Sequence, residues 1–126
     1  MARFLWICLG GAAGTGARYL VSGWVQRFGS SFPYGTLSVN VLGSFLLGVL
    51  MQVALTTELL APTMRLALTA GLLGGFTTYS TFNYETLQYF QEGVWLFGFL
   101  NILATVLGCL IAGALGLFAA RWAIGS

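Results

Sequence analysis

From Phe28 to Thr57 the chain runs without a single charged side chain. That stretch exceeds the ~20 mainly apolar residues an α-helix needs to cross the ~30 Å hydrocarbon core of a bilayer. The rest of the sequence has the same character. Only 6% of its 126 residues are charged, against roughly 25% in an ordinary soluble domain. Eighteen glycines are scattered through apolar stretches rather than gathered in a linker. Such a chain buries itself in other protein or dissolves in lipid. It reads as an all-α integral membrane protein, a single transmembrane domain over residues 1–126.

Four spans fit: Phe4 to Trp24, Tyr34 to Leu55, Met64 to Phe90 and Val94 to Ala120. The breaks fall at Gly29-Ser30-Ser31-Phe32-Pro33, from Glu58 to Pro62, and at Gln91-Glu92-Gly93. Pro33 and Pro62 stand where helices begin, which suits their fixed φ and missing N–H. Loops this short make neighbouring helices antiparallel. A rival reading takes Arg3, Phe4 to Leu9 and the small residues Gly10 to Gly14 as a cleaved signal peptide. Against it, the apolar pattern continues into Trp24, past the usual length of such a region.

What is missing excludes much chemistry. The charges are Arg3, Arg18, Arg27, Arg65 and Arg121 against Glu58, Glu85 and Glu92, with no His, Lys or Asp. General acid–base catalysis and side-chain metal sites have almost nothing to draw on. A membrane enzyme is therefore not expected. The net charge of +2 has no cluster behind it, so there is no nucleic-acid footprint. Cys8 and Cys109 lie inside apolar runs and read as small apolar filler. An even span number puts Arg3, Arg65 and Arg121 on one side and Arg27 on the other, with Arg18 near it. This is a weak positive-inside signal. Either the termini face the cytoplasm by a narrow margin or the chain inserts both ways, which permits an antiparallel dimer.

Four helices with axes 8–10 Å apart leave little room for a water-filled path. Transport through such a bundle therefore calls for more than one chain. Gly10 and Gly14, then Cys109/Gly113 and Ala112/Gly116, are spaced for close helix packing. On the second span, Thr36, Asn40, Gly43, Ser44 and Gly48 fall on one helical face. Asn40 either lines a pore or glues the bundle through an interhelical hydrogen bond, since a buried amide must find partners.

The third span holds the strongest pattern, Gly71-Leu72-Leu73-Gly74-Gly75-Phe76-Thr77-Thr78-Tyr79-Ser80-Thr81-Phe82-Asn83. The glycine pair lies roughly 15 Å from Met64, close to the midplane. Two glycines followed by two threonines form a poor continuous helix, so a break is expected there. A simple glycine kink for packing is the competing reading. Non-helical backbone at that depth is tolerated only when buried in protein or lining a cavity. Freed carbonyls can then hold a cation. Tyr79 and Phe82, one turn apart, present rings whose positive edges complement an anion. Plain packing is the alternative for both. Arg18 and Glu85 both sit ~8–9 Å from the same surface. They pair, or Arg18 snorkels alone and draws anions to a vestibule.

Three segments together resemble the Fluc/CrcB fluoride channels: Gly14-Thr15-Gly16-Ala17-Arg18-Tyr19, Gly35 through Gly43 (GTLSVNVLG), and Gly74 through Phe82 (GGFTTYSTF). The likeness covers all four spans. It implies an antiparallel, dual-topology homodimer with two pores, exporting fluoride passively across the bacterial inner membrane with strong selectivity over chloride. By the same resemblance Asn40 lines the pore, and Tyr79 and Phe82 contact fluoride through their ring edges. Ser80 and Thr81 match a hydroxyl track, and Thr105 and Cys109 take fourth-helix positions beside it. The backbone carbonyls of Gly74 and Thr77 match those that hold a central structural sodium ion (Na+) at the dimer interface. The family usually has Phe where this chain has Tyr79, which adds a phenol hydroxyl at that ring. Two other functions compete. A small multidrug exporter, a proton-coupled cation antiporter, needs a titratable acid in its first helix, and this first span has none. A non-transporting scaffold subunit gives no reason for a break at midplane depth.

Overall fold

The computed structural model describes residues 1–29 and 31–125, so Ser30, part of the first expected break, lies outside the described residues. Among the described residues three helices are long and apolar enough to cross a membrane: α1 (Ala2–Gln26), α2 (Tyr34–Thr56) and α6 (Trp95–Ile124). The segment between α2 and α6 is interrupted. It comprises α3 (Pro62–Leu66), a π-helical segment (Ala67–Leu73), α4 (Gly74–Phe76) and α5 (Tyr79–Gln91). Among the described residues there is no strand.

The chain turns between spans with few but specific contacts. Gln26, at the end of α1, donates from Nε2 to the Phe32 carbonyl at 3.0 Å and accepts from the Gly35 N–H at 2.9 Å. This ties the α1 end to the α2 start. Pro62 opens α3 at its first position, where its missing N–H costs nothing. Gly93 adopts φ of 76° in the turn between α5 and α6, a left-handed conformation that glycine enters without strain.

Two helix pairs form the bundle, each held by glycines that let main chain meet main chain. A Cβ on Gly10 would lie 2.4 Å from the Ala67 carbonyl oxygen, and one on Gly14 would lie 1.9 Å from that of Leu72. From the other side, a Cβ on Gly75 would lie 2.6 Å from the Gly11 carbonyl oxygen. Contacts rise together along both elements, so α1 and residues 67–75 run in the same direction. The pair α2 and α6 repeats this arrangement. A Cβ on Gly48 would meet the Gly113 carbonyl oxygen at 2.4 Å, and one on Gly116 would meet that of Phe45 at 2.2 Å. Small-residue packing of this kind is how helices associate where lipid removes the hydrophobic driving force.

The interior is thin. Among the described residues the largest fully buried side chains are Val39 and Asn101, while Leu110, Phe118 and Trp122 stand 67%, 62% and 89% exposed. An apolar outside around a partly polar inside inverts the soluble pattern and suits a lipid solvent.

Candidate ion-conduction site

Within the stretch of two glycines and two threonines where a break was expected, the segment between α2 and α6 breaks at Thr77–Thr78, and the glycines stay helical. Gly74 has φ of −61° and ψ of −39°, fully helical. Thr77 (φ −93°, ψ 158°) and Thr78 (φ −151°, ψ 111°) are extended. The reason is division of labour. Gly71 and Gly75 are needed for contact with α1, and a helix satisfies that contact. The two β-branched threonines have less to lose by leaving it. The helical segments on either side, residues 62–76 and α5, each span about 20 Å, so the break sits near the middle of the span. The preceding π segment is one that no sequence feature marked, and such bulges recur at functional sites.

Asn40 holds the break open. Its Nδ2 donates to the Thr78 carbonyl at 3.0 Å, and its Oδ1 accepts from the Thr78 N–H at 2.7 Å. One buried amide thus satisfies both main-chain groups of an extended residue, which otherwise have no partner at that depth. In an unbroken helix the Thr78 N–H would donate to the Gly74 carbonyl. Its donation to Asn40 releases that carbonyl. Opposite, Gly43 makes room: a Cβ there would lie 2.2 Å from the Thr77 Cγ2 methyl. Thr78 then caps α5, its Oγ1 accepting from the Thr81 N–H at 3.3 Å, a conventional N-cap. The same Oγ1 donates to Thr81 Oγ1 at 3.0 Å and lies 3.4 Å from Ser80 Oγ.

A groove of 420 Å³ opens beside the break. It brings together Asn40, Tyr79, Phe82, Thr105 and Cys109 with the edge of Gly74 and Thr77. The Tyr79 and Phe82 rings meet edge to face, with centroids 5.5 Å apart and planes at 68°. Phe82 is 6% exposed and Tyr79 77% exposed. Ser80 and Thr81 do not join this groove. Thr81 lines a separate cavity of 210 Å³ with Arg18, Thr15, Ser22, Thr36 and Thr78, on the other side of the break.

The α2 stripe divides three ways. Asn40 and Gly43 serve the break, and Gly48 packs against α6. Thr36 faces the Glu85 carboxyl in a third cavity of 460 Å³, which also includes Gln26, Gln88, Tyr89 and Glu92. Arg18 and Glu85 do not pair. Arg18 donates from a guanidinium nitrogen to the Thr77 carbonyl at 3.4 Å, while Glu85 Oε1 is buried without a hydrogen-bond partner. Equal depth left a pairing open, but the two helices present the side chains to different cavities. Glu92, in the break before α6, lines the Glu85 cavity. The Tyr89 hydroxyl donates to the Ser31 carbonyl at its rim. Both cysteines are free; Cys8 is exposed on the outer face of α1.

For a cation, the fitting donors are main-chain oxygens. Among the described residues no group of three or more His, Cys, Asp or Glu could hold a metal ion. The break releases the Gly74 carbonyl near the C-terminal end of a half-helix, and free carbonyls at such ends suit Na+. Thr77's carbonyl already accepts from Arg18, leaving one lone pair.

Three residues absent from the sequence reading complete the polar interior: Thr86, Asn101 and Gln52 are all buried. An amide within an apolar run was the available signal for Asn101 and Gln52, the same signal that marked Asn40.

Apolar spans, a break stitched by a buried amide and a groove of aromatic edges and hydroxyls define a multi-pass membrane protein built around a polar interior. The family model described as CrcB-like protein, Camphor Resistance (CrcB), matches residues 5–117, and the chain belongs to this family. A protein of Sorangium cellulosum (strain So ce56) named fluoride-specific ion channel FluC is 58% identical over 96% of both chains. Proteins of the same name from Anaeromyxobacter sp. (strain K) and Geobacter metallireducens are 53% and 48% identical. These matches cover 99% and 96% of this chain and 100% and 98% of theirs.

Proposed function

We propose that the protein is a fluoride-selective channel, working passively across the bacterial inner membrane as an antiparallel homodimer with two pores. The observation that carries this reading is the extended pair Thr77–Thr78, fixed by Asn40 beside the Phe82 ring at the middle of a membrane span. The names of the similar proteins supply the ion.

The chemistry follows from the donors. A small, strongly hydrated anion exchanges water for hydroxyls and the positive edges of the Tyr79 and Phe82 rings. Asn40 contributes through its amide and by holding the Thr78 peptide. Weak successive sites let the ion leave as readily as it arrives. The Thr81 hydroxyl and Arg18 line a cavity beyond the break from the groove. This arrangement supports a route with a cationic approach on one side and the rings on the other.

Two features support a second copy. Tyr79 is 77% exposed although it carries half of the ring pair. Gly74 is also exposed, and a Cβ there would have no neighbour nearer than 3.6 Å within the chain. A glycine with room to spare is explained by close approach from outside. In an antiparallel pair the broken spans cross there, and Gly74 and Thr77 carbonyls from both chains would hold Na+, which would join the two copies at their centre. The exporter reading is not favoured, because the charges on α1 are Arg3 and Arg18, without an acid.

The test is fluoride efflux from liposomes holding only this protein, read with a fluoride electrode. Electrogenic fluoride flux exceeding chloride flux by orders of magnitude is expected. Equal fluxes would dispose of the proposal.

A further inference from the structure

Beyond the groove, one polar relay crosses from α6 to α5. Asn101 is 2% exposed. Its Nδ2 donates to Thr86 Oγ1 at 2.9 Å, and Thr86 Oγ1 donates to the Phe82 carbonyl at 2.8 Å. On its other side, Asn101 Oδ1 accepts from Thr105 Oγ1 at 3.5 Å. Phe82, from α5, and Thr105, from α6, both line the groove, whereas Asn101 and Thr86 lie outside it. The relay therefore begins at one wall and ends at the main chain of the other.

Its position in α5 gives it leverage. Phe82 and Thr86 are the buried residues of that helix. Its far end is seated by the Phe90 ring, which occupies the space a Cβ on Gly98 would need, at 2.3 Å. Tyr89, next to it, packs against Phe32 and Phe97, so rings fix the far end of α5, while beside Phe82 the ties are the hydrogen bonds of Thr78 and Thr86. A hydrogen-bonded amide buried in apolar surroundings has one satisfied orientation, and it imposes that orientation on its partners.

We propose that Asn101 is a positioning residue for the Phe82 ring: through Thr86 it sets the rotation of α5, and hence the gap between Phe82 and Thr105. The consequence for conduction rests on the fluoride reading above. The consequence for ring placement does not.

The experiment places 4-fluorophenylalanine at position 82 and records its ¹⁹F spectrum in the otherwise unaltered protein and in N101L, T86V and N101L/T86V. Fluoride flux is measured on the same substitutions with the natural Phe82. Gln52→Leu is the control, since it removes a buried amide that bonds Arg121 Nε at 3.4 Å and is remote from the ring. Both N101L and T86V should shift or broaden the ring signal and slow flux about tenfold, as expected when a buried hydrogen-bond partner is lost. The double variant should do no more than either single one, because the relay acts as a unit. Q52L should leave signal and flux as they were. An unmoved ring signal in N101L and T86V overturns the proposal, whatever the flux. So does a slowed flux in N101L with T86V unaffected, which would make Asn101 a lining residue. Absent fluoride flux in the unaltered protein would refute the fluoride reading alone, and the ring signal would still decide the positioning role. T86V deletes no volume and keeps the test open if N101L does not assemble.

Discussion

On one side of the break, Gly71 and Gly75 bring residues 67–76 against α1 at main-chain contact distance. On the other, α5 turns most of its side chains outward and buries only Phe82 and Thr86. The first half is held by steric fit over many atoms and has one seat. The second is tied near the break by hydrogen bonds to Asn40 and Asn101, and only its far end is seated by the Tyr89 and Phe90 rings. Dispersion contacts forgive the loss of any single pair, whereas a buried polar tie fails as a whole. A channel of this build keeps its rigid, glycine-packed half as a foundation and carries its ring on the half that polar ties can aim.

The sharpest way to break that contrast is Asn40→Leu. It strands the N–H and carbonyl of Thr78 together, costing about 4 kcal/mol at 1–3 kcal/mol for each group. Fluoride flux should disappear into the liposome background, and thermal unfolding in detergent should move down. Normal flux from this variant would show that the break does not depend on its amide. Gly14→Ala tests the packed half. A methyl 1.9 Å from the Leu72 carbonyl oxygen forces backbone apart, and overpacking of this kind costs about 3 kcal/mol. Loss of monodisperse protein on gel filtration is the expected result, and a stable variant would show that the α1 contact is looser than its geometry.

Smaller effects separate function from folding. Phe82→Ile removes a ring-edge contact worth ~0.5–1.5 kcal/mol, so flux should fall roughly two- to tenfold while the gel-filtration profile stays unchanged. Undiminished flux would remove the ring from the path. Gly16→Ala is the counterweight to Gly14→Ala: two residues away on the same helix, a Cβ at Gly16 meets nothing within 4 Å. Stability should rise by about 0.5–1 kcal/mol, the helix propensity that Ala gains over Gly. A large loss in a differential-scanning measurement would mean that another chain covers that surface.

Much of the bundle was legible in the sequence because lipid leaves few alternatives. Charge-free runs such as Phe28 to Thr57 have to satisfy their backbone as helices, and the Gly10/Gly14 spacing foretold a close contact. The family pattern over Gly74 to Phe82 was equally legible, since so many hydroxyls beside two rings are rare at that depth. The exact position of the break was not. Glycine weakens a helix in isolation, but in the bundle Gly75 gains a main-chain contact with α1 that keeps it helical, and the threonines give way instead. Nor could spacing alone settle Arg18 and Glu85. Depth along a helix is readable from residue counts, but azimuth depends on how the neighbouring helices turn.

The sequence by itself determined that this chain is apolar enough to cross a membrane several times, and that one of its apolar stretches carries a run of polar groups. Those properties follow from transfer free energies and helix rise, which are local and additive. Only the tertiary structure decided which carbonyls Asn40 releases, that Arg18 turns to Thr77 rather than to Glu85, and that Asn101 reaches Phe82 through Thr86. Each of these depends on the distance between residues on different helices, a quantity fixed by packing and written in no single stretch of chain.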